Sequence, residues 1–203
     1  MAAHLRGTER LRLFFGGIFS FNHYHFLRAG LAKIPETSSA NPGLGQLSQL
    51  SEGDWTGIAD QLKDLDFAEK KELLARGRFY QSGFKNCYGF KDNGRVVYLQ
   101  WIVSPSENEI ISRKYTRRYA LLSPRQVMLE NAFTFPGWRE RGLHLAGSAQ
   151  LMRMAREQGC TNAICYVRKD NLAALNDFLE LGFQMVKIMP EYKIFGWARR
   201  SLE

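Results

Sequence analysis

The amino-acid sequence predicts an α+β domain in which helices flank a central mixed β-sheet, with an aromatic segment appended at the N-terminus. Three observations lead there. Two apolar runs, Phe84 to Phe90 and Arg95 to Val103, are joined through Asp92-Asn93-Gly94. Asn-Gly accepts the positive φ angles of a type I′ turn, so this is an antiparallel hairpin. Two helical patterns precede it, and a strand-like run from Val127 to Phe135 passes through a basic, glycine-containing turn into a long helical pattern, Leu145 to Gln158.

Taken in order, Leu11 to Ile18 is apolar and aromatic, with Arg6, Arg10 and Arg12 around its start. It falls short of the ~18 residues of a membrane span, and Asn22-His23-Tyr24-His25 interrupts it. Residues 9–34 therefore read as an aromatic amphipathic segment that docks on the domain, on a partner subunit or on a membrane surface. Pro35 to Pro42 is rich in Ser, Thr, Pro and Asn and reads as a linker, so residues 1–42 stand apart from a domain spanning 43–203. Leu44 to Leu50 alternates as a first strand. Ser51 is placed to cap a helix carrying Trp55, Ile58, Ala59 and Leu62, and a second helix runs from Phe67 to about Arg76, ended by Gly77. Ser104 to Pro124 is a long basic and aromatic connection with Arg113, Lys114, Tyr115, Arg117, Arg118 and Tyr119. It reads either as a loop that shapes a binding pocket or as a solvated charged edge.

The chain has 203 residues, 45% apolar and 24% charged, with a net charge of +8 and a pI near 9.5. That suits one soluble domain with anionic partners. The basic residues are dispersed and no nucleic-acid-binding motif accompanies them, which argues against nucleic acid. Cys87, Cys160 and Cys165 have no paired metal spacing, and their odd number argues against a disulfide framework. The expectation is a cytoplasmic protein with reduced thiols and no metal. His23 and His25 share a strand-like face without a third ligand.

The segment Arg139-Glu140-Arg141-Gly142-Leu143-His144 lies between strand and helix, where unpaired backbone N–H groups can meet phosphate oxygens. Further on come Asn171-Leu172-Ala173-Ala174, then Phe178, then Gly182-Phe183. Together the two segments resemble the GNAT superfamily of acyl-CoA N-acyltransferases, whose phosphate loop reads R/Q-x-x-G-x-G/A and whose next helix reads N-x-x-A-x-x-x-Y-x-x-x-G-F. Arg139 and Gly142 fit the loop, with His144 where a small residue is usual. Asn171, Ala174, Gly182 and Phe183 fit the helix, with Phe178 in place of the tyrosine. The resemblance covers roughly residues 125 to 190.

The resemblance implies acetyl-CoA, or a longer acyl-CoA, as cofactor. Its pyrophosphate would lie on residues 139–144, with Asn171 and Phe178 nearby, and its pantetheine arm would pair with the backbone of Ala132, Phe133 and Thr134 like an added strand. A backbone N–H there would polarise the thioester carbonyl. Glu130 is the candidate base for an acceptor amine of pKa ~10.4, and period-two alternation places it on the face of Ala132 and Thr134. Phe178 removes the phenol that many members use as the acid, a role open to Tyr166 or Tyr192. His144 either turns outward or donates to phosphate, and Asn171 is a cofactor contact, a helix cap, or both.

With Trp101 and the Phe133-Thr134-Phe135-Pro136 run, the arrangement is similar to bacterial members associated with surface-polysaccharide and specialised-metabolite pathways. The implied activity is acyl transfer, chiefly acetyl, to an amino sugar or amino acid, with Trp101, Tyr115 and Arg117 as acceptor-binding residues. Alternatives are a CoA-binding sensor or scaffold with little catalysis, a protein N-acetyltransferase, and an enzyme served by an acyl carrier protein. A homodimer is a further expectation.

Overall fold

The computed structural model describes residues 19–35, 43–194 and 197–201, with backbone alone at Phe19 and Trp197. The aromatic run from Leu11 to Ile18 and residues 36–42 of the linker lie outside them. Eight strands among the described residues form one sheet: β1 (Phe19–Gly30), β2 (Ser48–Gln49), β3 (Cys87–Asp92), β4 (Arg95–Val103), β5 (Gln126–Thr134), β6 (Asn162–Arg168), β7 (Gln184–Ile194) and β8 (Trp197–Arg200). Their spatial order is β2-β3-β4-β5-β6-β1-β7-β8, and β5 with β6 is the parallel pair in an otherwise antiparallel sheet.

The helices form where caps and spacing direct them. Ser51 caps α1 (Glu52–Gln61), its hydroxyl accepting from the Asp54 N–H while the Asp54 carboxylate accepts from Ser51. Asp66 and Glu69 build the same reciprocal cap on α2 (Phe67–Gln81). That helix runs five residues beyond its expected end at Arg76. Gly77 is buried inside it, and the burial of Leu73, Leu74 and Phe79 outweighs the ~1 kcal/mol that glycine costs a helix interior. The expected loop from Ser104 to Pro124 contains a short helix, α3 (Asn108–Ile110), continued by one π turn to Tyr115. Two further helices, α4 (Leu143–Glu157) and α5 (Leu172–Glu180), follow β5 and β6.

Helices α1 and α2 cover one face of the sheet, where Trp55, Ile58, Leu73 and Phe79 pack with Leu99, Trp101, Met128 and Ile164. Helices α4 and α5 cover the other, where Leu145, Met152, Ala155 and Phe178 meet Leu27, Val127, Leu129 and Cys165. Asn93 and Gly94, at φ 48° and 78°, close the expected hairpin. The first expected strand shrinks to Ser48 and Gln49 at the sheet edge.

The larger difference concerns residues 19–30, which the sequence reading sets in the appendage ahead of the domain. They form the 12-residue strand β1, inserted between β6 and β7 and paired with both. A strand-like face was legible at His23 and His25, but the partners of the strand lie 132 to 175 residues further along the chain.

Candidate active site

The parallel pairing of β5 with β6 runs from Gln126 opposite Asn162 to Leu129 opposite Cys165 and stops there. Both strands continue, so a fork opens at Glu130. Asn131 sits at φ 57°, and the register against β4 passes from Leu99 opposite Phe133 to Trp101 opposite Glu130. Three steps on β5 thus match two on β4, which is a β-bulge. The bulge overturns the expected facing of the strand. Glu130 shares its face with Phe133, toward α1 and α2, whereas Ala132 and Thr134 turn to the other side, where Ala132 and the Thr134 partner Tyr98 join a separate apolar group.

Beyond the bulge the Phe135 N–H donates to Val97 O on β4 at 3.0 Å, so alternation directs the main-chain groups of Ala132 and Thr134 away from β4 and into the fork. Their carbonyls are partly engaged. Arg76 donates from Nε to Asn131 O at 2.9 Å and from Nη2 to Ala132 O at 2.6 Å, and Arg139 reaches Thr134 O at 3.4 Å.

The turn after β5 ends at the N-terminus of α4. Glu140 and Gly142 take positive φ values of 62° and 69°, a conformation that glycine adopts without strain. Gly142 is the N-cap, no side chain bonds the first turn of α4, and that turn holds no acidic residue. The leading N–H groups of a 15-residue helix are therefore left without a side-chain acceptor. His144 leaves this space clear. Its Nδ1 lies 2.7 Å from Asp177 Oδ2 and its ring stands edge-on to Phe178, so it turns toward α5, the outward alternative of the sequence reading.

Glu130 occupies the mouth of the fork. Its Oε2 accepts from the Tyr119 hydroxyl at 3.1 Å and from the Asn131 N–H at 3.2 Å. Burial pushes its carboxyl up to about 7, against the opposing pull of Arg200, the Tyr119 hydroxyl, the Asn131 N–H and Arg76. Tyr166 lies on the same face. Its Oη accepts from the Ala120 N–H at 3.4 Å, and its phenol is raised above its ordinary value, chiefly by burial. Tyr119 is raised further for the same reason, with the Glu130 charge adding to it. The Arg200 guanidinium completes the group, 3.7 Å from the ring centre of Tyr24 and 4.8 Å from that of Tyr166.

Of the sequence-predicted residues, the structure brings together Glu130 and Tyr166 and, at the loop, Gly142 with the start of α4. Others have structural roles. Trp101 is fully buried, its indole N–H donating to Phe84 O at 3.0 Å and its ring packed on Trp55 and Phe79, so it is core and cannot line an acceptor pocket. Asn171 caps α5 by accepting from the Ala174 N–H, and Phe178 is buried against Phe183. Arg139 pairs with Glu69 at 3.0 Å, and Arg141 stacks on Trp138.

Tyr115 stacks on Tyr119 and shares a hydrogen bond with Ser82 Oγ, whereas Arg117 offers its backbone carbonyl to the Arg200 N–H and has an exposed side chain. Tyr192 is 51% exposed and alternates to the face opposite Glu191 and Arg200. Sequence reasoning missed Tyr24, Arg76 and Arg200. Tyr119 stood within the segment singled out, but nothing marked it as the partner of Glu130.

This is the fold of the GNAT acyltransferases. The structure is similar to a GCN5-related glucosamine N-acetyltransferase region of a fungal multi-domain GH3 β-N-acetylglucosaminidase, with a TM-score of 0.62 at 12% identity over 91% of this chain and 22% of that one. It is also similar to a candidate acetyltransferase from the GNAT family of Novosphingobium aromaticivorans (TM-score 0.56, 16% identity, 89% of this chain and 64% of that one). An acetyltransferase from the GNAT family of Colwellia psychrerythraea is comparable (0.53, 14%, 91% and 61%). The chain thus spans about a fifth of the first and about three fifths of the other two. No family model matches the chain, and no curated protein matches it. Among the described residues no helix is long and apolar enough to cross a membrane, and no cluster of three or more His, Cys, Asp or Glu could hold a metal ion.

Proposed function

We propose that the protein is an acyl-CoA-dependent N-acyltransferase, moving an acetyl group to the primary amine of a small molecule such as an amino sugar or amino acid by direct attack in a ternary complex. The observation that carries this reading is Glu130: a carboxyl with a pKa of about 7 at the mouth of a strand fork. A general base is most effective when its pKa lies near the working pH, and an amine of pKa ~10.4 must lose a proton before it can attack.

The residues present fit acyl-CoA. The uncapped start of α4 at Leu143 and His144, behind Gly142, suits a pyrophosphate, and the outward turn of His144 leaves room for one. The N–H groups of Ala132 and Thr134 suit a pantetheine arm. When bound, acyl-CoA supplies the acyl group already activated as a thioester. Glu130 takes the proton of the acceptor ammonium. Tyr166 holds its proton at Oη, where burial keeps the phenol neutral and able to donate, which offers the acid that Phe178 lacks.

Calorimetric titration with acetyl-CoA, free CoA and octanoyl-CoA, followed by an amine screen with Glu130→Gln in parallel, tests the reading. Micromolar binding is expected, and turnover in the variant should fall on the order of a hundredfold or more with binding retained. Binding without turnover on any amine would favour the sensor alternative. Equal turnover in the variant and the wild type would remove Glu130 from the base role, and no binding of any of the three would overturn the CoA reading.

A further inference from the structure

Arg200 stands out among the buried polar groups. Its side chain is only 4% exposed, yet of its three guanidinium nitrogens only Nη2 has a partner, Glu191 Oε2 at 3.0 Å. Nε and Nη1 are buried with none. Leaving charged donors unsatisfied in the interior is costly, so a position that keeps two of them calls for an acceptor from outside the chain. These donors lie within the aromatic group already described, Tyr24, Tyr166 and Tyr119, and the last of these bonds Glu130.

A second observation gives the sign of that acceptor. Lys193 alternates onto the face of Glu191 and Arg200, and its ammonium is held below its ordinary value, first by burial and then by the charges of Arg118, Lys71 and Arg78. None of these four cations makes a salt bridge with a described residue. Around Lys193, on the face that carries Arg200, mutually repelling positive charge thus collects against the single opposing pull of Glu191, and such a cluster attracts anions.

We propose that the acceptor is an amino-carboxylate, whose carboxylate docks on the unpartnered donors of Arg200 while its amine faces Glu130. This rests on the N-acyltransferase reading and narrows its substrate class from small amines to amino acids. Arg200 is a binding residue, for which the planar fork of a guanidinium suits a carboxylate. Glu191 neutralises one edge of that fork and holds it in place.

The test pairs acceptors. With acetyl-CoA as donor, the protein α-amino acids, β-alanine and 4-aminobutyrate are each assayed beside their own carboxamides, which keep the amine and lose the charge. The free acid of at least one pair should be preferred by about 50-fold in kcat/KM. In Arg200→Gln that preference should collapse, mostly through a raised KM. Because this variant strands Glu191, the double variant Arg200→Gln, Glu191→Gln is measured as well, with thermal melting to verify folding. Direct titration with the N-acetylated acid should show the same loss of affinity in the folded variants.

Carboxamides or amino sugars used as well as the acids, or a preference that survives both variants, would overturn this inference and leave N-acyl transfer standing. No turnover of any amine, carboxylated or not, would overturn both.

Discussion

The two arms of the fork are built from different material. On the side proposed for the cofactor the groups facing the opening are main-chain: the first N–H groups of α4 behind Gly142, and the N–H groups of Ala132 and Thr134. On the side proposed for the acceptor they are side chains drawn from distant segments: Tyr24 on β1, Tyr119 before β5, Glu130 on β5, Tyr166 on β6 and Arg200 on β8. A main-chain site depends on local conformation and tolerates exchange of its side chains. A side-chain site depends on each member and on the sheet order that assembles them.

The largest effect should come from disturbing the main chain on the cofactor side. In Gly142→Val a β-branched residue is forced to φ 69°, costing about 1–2 kcal/mol, and the turn can recover only by moving the first N–H groups of α4. Affinity for acetyl-CoA should fall on the order of a hundredfold by calorimetry, with Glu130 untouched. An unchanged affinity would mean that the anion is held elsewhere.

This difference in material also accounts for what the sequence disclosed. The turn from Arg139 to His144 and the cap at Asn171 are local patterns, and they were legible together with the Asn93-Gly94 hairpin and the cap at Ser51. The bulge at Asn131 leaves no such mark, so period-two counting put Glu130 on the wrong face relative to Ala132. Trp101 is indistinguishable in sequence from a binding aromatic until its indole N–H is found on Phe84 O. Arg200 meets Tyr24 and Tyr166, and so takes its proposed role, because β1 enters the sheet between β6 and β7, a pairing across most of the chain.

On the acceptor side, the carboxyl of Glu130 couples folding to pH. Its folded pKa of about 7 lies above the ordinary 4.5, so between those values the folded state holds more proton than the unfolded. This contribution is fully present below about 4.5 and is lost as pH rises through about 7, amounting to about 3 kcal/mol. Glu130→Gln lacks the proton to lose. Urea denaturation should therefore show the wild type losing stability relative to the variant from pH 4.5 to 8, and parallel curves would mean that the carboxyl is already ionised at acid pH.

A smaller effect is expected at Tyr119. Its hydroxyl favours the charged form of Glu130, so Tyr119→Phe should raise the carboxyl pKa further and move the alkaline-rising limb of kcat/KM to higher pH. At pH 7 turnover should fall about three- to tenfold, the net value of one typical intramolecular hydrogen bond. A loss of rate without a displaced limb would show that the hydroxyl positions Glu130 but does not tune it.

Arg139→Ala provides the contrast, with the smallest expected change. Although Arg139 matches the first position of the loop motif, its guanidinium is committed to Glu69 at 3.0 Å and its Nε leans on Thr134 O, while nearly half of the side chain remains exposed. Its attraction for a phosphate is screened by water and partly cancelled by that carboxylate, which limits it to about 0.5 kcal/mol. Affinity for acetyl-CoA should thus weaken only about two- to threefold, and the loss should shrink with added salt. A tenfold or greater loss that persists at high salt would mean that Arg139 leaves Glu69 when the anion arrives. The cofactor side would then share the dependence on particular side chains that marks the acceptor side.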